Sequence, residues 1–144
     1  MARSKSYMKS KKPILLVEDD QVDVMTVKRV LKEIHVDNTL LLACNGEEAL
    51  DLLNNSAVED PGIILLDLNM PRMNGLEFLK AVKSNALTKS IPVIVLTTSR
   101  DDNDRLESFN HSVAGYMVKP VDYSQFVDLM KNIDIYWTYS EVPD

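Results

Sequence analysis

Acidic, hydroxyl and basic side chains follow the short apolar runs of this chain in a fixed order. Glu18, Asp19 and Asp20 follow residues 14–17, and Asp67 and Asn69 follow residues 63–66. Thr97, Thr98 and Ser99 follow residues 93–96, and Lys119 and Pro120 follow residues 116–118. If the runs lie side by side, Glu18, Asp19 and Asp67 gather three carboxylates in one place. Such charges repel, which costs stability and raises some of their pKa values. A hard divalent cation relieves the repulsion, and oxygen ligands at an open site favour Mg²⁺. Lys119 adds a compact positive charge. Carboxylates, a metal and a lysine together suit phosphoryl transfer, where catalysis is mostly positioning and charge neutralisation. Asp67 is the natural nucleophile, because aspartate can form an acyl phosphate. The Thr97 hydroxyl can donate a charge-assisted bond to a phosphoryl oxygen.

Taken singly, each residue has a plain structural explanation. Asp20 reads as a helix N-cap, a threonine closing a strand as a β-former, and a Lys-Pro pair as a surface turn. Their joint position is what points to chemistry, and that position depends on the elements that carry them. The runs at 14–17, 40–43, 63–66, 93–96 and 116–118 have the length of buried strands. Between them, Val24, Val27, Leu31 and Ile34, then Leu76, Leu79 and Val82, then Tyr123, Phe126, Val127, Met130 and Ile133 recur at helical spacing. Asn45 with Glu48, Asn74 with Glu77, and Asp122 with Gln125 have the form of capping boxes. Strand–helix alternation predicts an α/β fold, a parallel sheet covered on both faces by helices, in five βα units. In such sheets ligands bind beyond the carboxyl ends of the strands. The second run ends in Cys44 and Asn45 and brings no comparable charge.

The 144 residues fit one domain, read here as 13–135 with a basic tail at 1–12 and an extension at 136–144. Hydrophobic residues at 45% and charged residues at 26% are those of a soluble globular protein. No apolar run approaches the ~20 residues that span a bilayer, and the start of the chain lacks the apolar core of a secretory signal. A cytoplasmic location with no membrane insertion is the expectation. The net charge of −6 is uneven: Arg3, Lys5, Lys9, Lys11 and Lys12 give the first twelve residues +5, leaving −11 for the rest. An acidic body argues against nucleic acid as the partner. Cys44, the single cysteine, is expected to pack at a strand end, and His35 and His111 are expected to bind no metal and accept no phosphoryl group.

At these residues the chain resembles the receiver domain of two-component response regulators, the CheY-like family. The resemblance rests on Ile14-Leu-Leu-Val-Glu-Asp-Asp20, Leu66-Asp-Leu-Asn-Met-Pro-Arg-Met-Asn-Gly75, Pro92-Val-Ile-Val-Leu-Thr-Thr-Ser99 and Gly115-Tyr-Met-Val-Lys-Pro120. It implies a doubly wound, flavodoxin-like sheet of five parallel strands in the order 2-1-3-4-5. It also implies that Asp67 accepts the phosphoryl group from a sensor histidine kinase. Asp19 would bind the metal directly, Glu18 through a bound water, and Asn69 through its backbone carbonyl. Lys119 would contact the phosphoryl group, while Thr97 and Tyr116 would act as the switch pair. The Lys119–Pro120 bond would be cis, and Gly75 would supply unusual backbone angles after the site. Asn69 and Ser99 would tune the loss of the phosphoryl group. A polar helix over 101–111, with Leu106 and Phe109 as its main apolar anchors, would be reshaped on activation. The acid pair is Glu-Asp where the family often has Asp-Asp, which leaves the metal site intact.

Only nine residues follow Ile135, too few for an output domain. The expectation is a stand-alone regulator that signals by partner binding or dimerisation and catalyses no reaction beyond its own phosphorylation and dephosphorylation. Residues 108–116, the Tyr136-Trp137 pair and Val142-Pro143 resemble the single-domain regulators that serve bacteriophytochrome-type kinases. Three alternatives stand beside this reading. One is a haloacid-dehalogenase-type phosphatase, which normally carries Asp-x-Asp on its first strand. Another is a binding module that uses the fold without phosphorylation. The third is a homodimer built on Tyr136, Trp137 and Tyr139, with packing of these rings onto their own domain as the competing explanation.

Overall fold

The apolar runs form a parallel sheet whose three interior strands pack on both faces. In the computed structural model, which describes residues 11–70, 72–98 and 112–139, they become β1 (Ile14–Val17), β2 (Leu40–Ala43), β3 (Ile63–Leu66) and β4 (Val93–Thr97), with β5 at Gly115–Val118. Every residue of β1, β3 and β4 is buried, which is why these strands read as unbroken apolar stretches. β2 is an edge strand and only half buried, with Leu42 exposed. All pairings are parallel and the order is β2-β1-β3-β4-β5, the order the family resemblance implies.

Side-chain alternation along each strand divides the core in two. Ile14, Leu16, Ile63, Leu65, Ile94 and Leu96 face one layer, covered by α1 (Gln21–Glu33) and α4 (Tyr123–Tyr139). Leu15, Val17, Ile64, Leu66, Val93 and Val95 face the other, covered by α2 (Gly46–Leu53) and α3 (Gly75–Ser84). The expected helix over 101–111 lies outside the described residues, as do Ser99, His111 and the first ten residues of the basic tail.

The helix ends follow local chemistry. Asn74 caps α3 in a full capping box: its side chain accepts from the Glu77 amide at 2.9 Å, and Glu77 accepts from the Asn74 amide at 3.0 Å. Asn45 accepts from the Glu48 amide, but Glu48 reaches back one residue further, to the Cys44 amide. Asp122 accepts from the Ser124 amide at 2.8 Å, an Asx turn in place of the expected pairing with Gln125. Asp20 caps α1, accepting from Val22 and Asp23. His35 ends that helix in the left-handed conformation (φ 63°), with the bonds His35 N–H to Lys32 and Val36 N–H to Leu31 of a Schellman motif. His35 therefore has a structural job at the opposite end of α1 from the acids.

α4 runs on through Tyr136 and Trp137, beyond the expected boundary at residue 135. Trp137 is buried in the first core layer, and Tyr136 is exposed. The indole lies where a side chain on Gly62 would have to stand, 2.3 Å from the position of a Cβ there. Of the two explanations offered for the aromatic end, the structure selects packing onto the domain for Trp137. No helix among the described residues is long and apolar enough to cross a membrane.

Candidate functional site

Strand register brings the acids together. Val17 pairs with both Ala43 and Leu66, so the chain leaves β1 and β3 at one level. The Asp67 amide donates to the Val17 carbonyl at 3.0 Å, and the Glu18 amide to the Ala43 carbonyl at 2.9 Å. One carboxylate oxygen each from Glu18, Asp19 and Asp67 lies within 4.8 Å of the others. Glu18 and Asp67 are buried and Asp19 is exposed. The donor set is all hard oxygen, open on the Asp19 side, and suits a divalent cation of the oxygen-preferring kind.

On the other side, Thr97 pairs with Val118, and the Lys119 amide donates to the Thr97 carbonyl at 2.8 Å. Thr97 is fully buried at the end of β4. Tyr116 is half buried on β5, packed against the second core layer. The Lys119 side chain is almost wholly buried and turns back across the sheet edge. Its ammonium donates to Glu18 Oε1 and, at 2.7 Å, to Asp23 Oδ2. Asn69 stands beside Asp67, its amide at hydrogen-bonding limit, 3.5 Å, from Asp67 Oδ1.

Electrostatics at the site depart from simple mutual repulsion. The Glu18 carboxyl is pushed up to about 7, chiefly by burial and further by the Asp67 charge, against the pull of Lys119. Burial draws the Lys119 ammonium down, but its bonds to Asp23 and Glu18 outweigh that and its pKa is raised. Lys119 is therefore a cation at neutral pH, bonded to Glu18 and Asp23 and within the field of Asp67.

Three expectations need correction here. The Lys119–Pro120 bond is trans, for no cis peptide occurs among the described residues. Trans is the default that tertiary contacts must overcome, and here the lysine side chain reaches Glu18 and Asp23 from it. Gly75 has no left-handed backbone; that conformation belongs to Arg72 (φ 62°) in the same loop. Gly75 is needed for space, because a Cβ would lie 2.5 Å from the Asp67 carbonyl oxygen and the Leu68 Cα. Cys44 also differs, being exposed after the edge strand rather than packed; desolvation and the Glu48 carboxylate raise its thiol pKa, away from the reactive thiolate.

Asp23 is the participant that sequence reasoning passed over. It lies in the first turn of α1, four residues after Asp19, on a helix that begins at the sheet edge. That placement was the available signal.

A profile of the response regulator receiver domain matches residues 14–131. Response regulator Rcp1 of Synechocystis sp. is 35% identical over 130 residues, covering 88% of each chain. The probable methanogenesis regulatory protein FilR2 of Methanothrix harundinacea is 32% identical, over 86% of this chain and 82% of its own length. Among solved structures, the phosphorylated cyanobacterial phytochrome response regulator RcpA superimposes with a TM-score of 0.87 at 32% identity, over 94% of this chain and all of that one (100%). The Mn²⁺-bound form of Rcp1 gives 0.83 at 34% identity, over 92% and 99%.

Proposed function

The chain belongs to the response regulator receiver domain family, and on that premise we propose that Asp67 is its phosphoacceptor and Mg²⁺ its working metal. Phosphorylation-dependent signalling is the role of this family, whose members act with sensor histidine kinases and bind a divalent metal. The observation that carries the reading is the convergence of Glu18, Asp19 and Asp67 within 4.8 Å at the carboxyl edge of the sheet.

In this reading an Asp67 carboxylate oxygen attacks the phosphorus of a kinase phosphohistidine. The O–P bond forms as the N–P bond breaks, and the imidazole leaves, taking up a proton. Asp19, Asp67 and the Asn69 carbonyl would hold the ion, and Glu18 would contribute through water. The bound ion supplies neutralisation of charge on the transferring oxygens. Lys119 meets the new phosphoryl group, Thr97 donates to it, and Tyr116 turns into the space Thr97 leaves. Asn69 and Ser99 tune the loss of the phosphoryl group. The change is a shift between two populated forms of one fold. The chain acts on its own Asp67 only. A phytochrome-type kinase, a cytoplasmic location and signalling through a separate partner or a second copy complete the proposal; resemblance to RcpA and Rcp1 supports the first.

Mass spectrometry after incubation with acetyl phosphate and Mg²⁺ tests it. Wild-type protein should gain one phosphoryl group and Asp67→Asn none. No gain in the wild type, or an equal gain in both, refutes the assignment.

A further inference from the structure

The geometry points to Asp23 as a positioning residue that competes with the phosphoryl group for Lys119. The inference rests on the assignment of Asp67 above and adds a residue to it. An ammonium has three donors. In this structure Lys119 spends two of them on Glu18 and Asp23, and makes its hydrogen bonds to these two rather than to Asp67. Glu18 is fixed at the end of β1, inside the acid cluster, and keeps the lysine near the site. Asp23 is different: it belongs to α1, outside the cluster, and its 2.7 Å bond draws the ammonium towards that helix. Asp23 is only partly exposed, 31%, and Lys119 7%, so the pair is shielded enough to matter.

A phosphoryl group on Asp67 brings more negative charge and three acceptor oxygens. The third donor of Lys119 can meet one of those oxygens, but to bring a second donor to bear Lys119 must loosen its bond to Asp23. Part of the affinity between lysine and phosphoryl group therefore goes into breaking that bond. The same exchange ties the first turn of α1 to the state of Asp67, because the bond to Asp23 is a direct link from that turn to the end of β5.

The two plain structural roles of an acid here predict the opposite sign. An acid in the first helical turn complements the helix dipole, and an ion pair steadies the fold, so on either account its removal leaves ligand affinity unchanged or lowers it. Competition predicts a gain. The probe is beryllium fluoride, a phosphoryl mimic, titrated by calorimetry at saturating Mg²⁺ into the full chain. Asp23→Asn should bind it roughly fivefold tighter than wild type, while Asp23→Glu, which keeps the charge, should stay near wild type. Asp20→Asn is the control for charge alone: it removes a neighbouring acid that does not touch Lys119 and preserves the helix cap.

Tightening confined to Asp23→Asn supports the competition. Unchanged or weaker binding by Asp23→Asn overturns it, and so does equal tightening by Asp20→Asn, which would mark a general field effect. If wild-type protein binds no beryllium fluoride, or Asp67→Asn binds it equally, the phosphoacceptor assignment fails and this inference falls with it.

Discussion

A methyl group on Gly75 would stand 2.5 Å from the backbone carbonyl oxygen of Asp67. The obstruction is backbone on both counts, Asp67 O and Leu68 Cα, and no rotamer change can relieve it. The Gly75 amide also donates to the Leu68 carbonyl at 3.0 Å, locking helix α3 under the loop that presents Asp67. Gly75→Ala should cost about 2–3 kcal/mol in urea unfolding. It should also slow acetyl phosphate labelling, because the loop can relax only by moving Asp67. A normal labelling rate in a folded variant would refute the coupling.

Asn74 tests the neighbouring device. Both halves of its capping box are formed, so Asn74→Ala should lose about 1 kcal/mol. Asn74→Ser should lose far less. Equal losses would mean that the asparagine matters for something other than its cap.

Glu18 gives the fold a pH dependence. Its carboxyl titrates at about 7 in the folded protein against an ordinary 4.5. Between those values the native state keeps a proton that the unfolded chain releases. The associated stability is complete below about 4.5 and is lost as pH rises through about 7. In chelator-treated protein, wild type should lose on the order of 1–2 kcal/mol relative to Glu18→Gln on going from pH 5 to pH 8, after allowance for solvent screening. Parallel profiles for the two proteins would show that burial does not hold the proton.

Divalent cations should reverse that loss. An ion that binds only the folded chain stabilises it by about 2.7 kcal/mol at about a hundred times its dissociation constant. Thermal unfolding at pH 8 should move upward with added Mg²⁺ in wild type and scarcely at all in Asp19→Asn. A shift of equal size in both would remove Asp19 from the ligand set.

Adjacent rings at the end of α4 should behave in opposite ways. Trp137 is buried and Tyr136 exposed. Trp137→Ala should cost about 3–5 kcal/mol, followed by circular dichroism, and Tyr136→Ala less than about 0.5 kcal/mol. Similar small effects for both would contradict the packing seen against Gly62.

Much of this was legible in the sequence because parallel strands buried on both faces leave continuous apolar runs, and the polar residue after each run marks the sheet edge. Glu18, Asp19 and Asp67 could be placed together on that basis. Strand order came from the family resemblance, since residues such as Ile14 and Ile63 carry no mark of their neighbours. Asp23 escaped because an acid in a first helical turn already has an adequate local reason to be there. Gly75 was credited with the wrong freedom: a close approach and an unusual φ select glycine equally, and only coordinates separate them. The role of Trp137 stayed open between interface and packing because Tyr136-Trp137-Thr138-Tyr139 holds little helical patterning, and its partner, Gly62, leaves no apolar trace in the sequence.

The contact between Trp137 and Gly62 also decides what light can report about this protein. Trp137 is the sole tryptophan of the chain. Gly62 precedes β3 and Asp67 follows it, so the residue the indole packs on is about 16 Å along the strand from the acids. Its emission should register loss of the domain as a whole and stay silent when Asp67 changes its charge. The molecule thus carries an internal fluorophore whose signal separates unfolding from signalling.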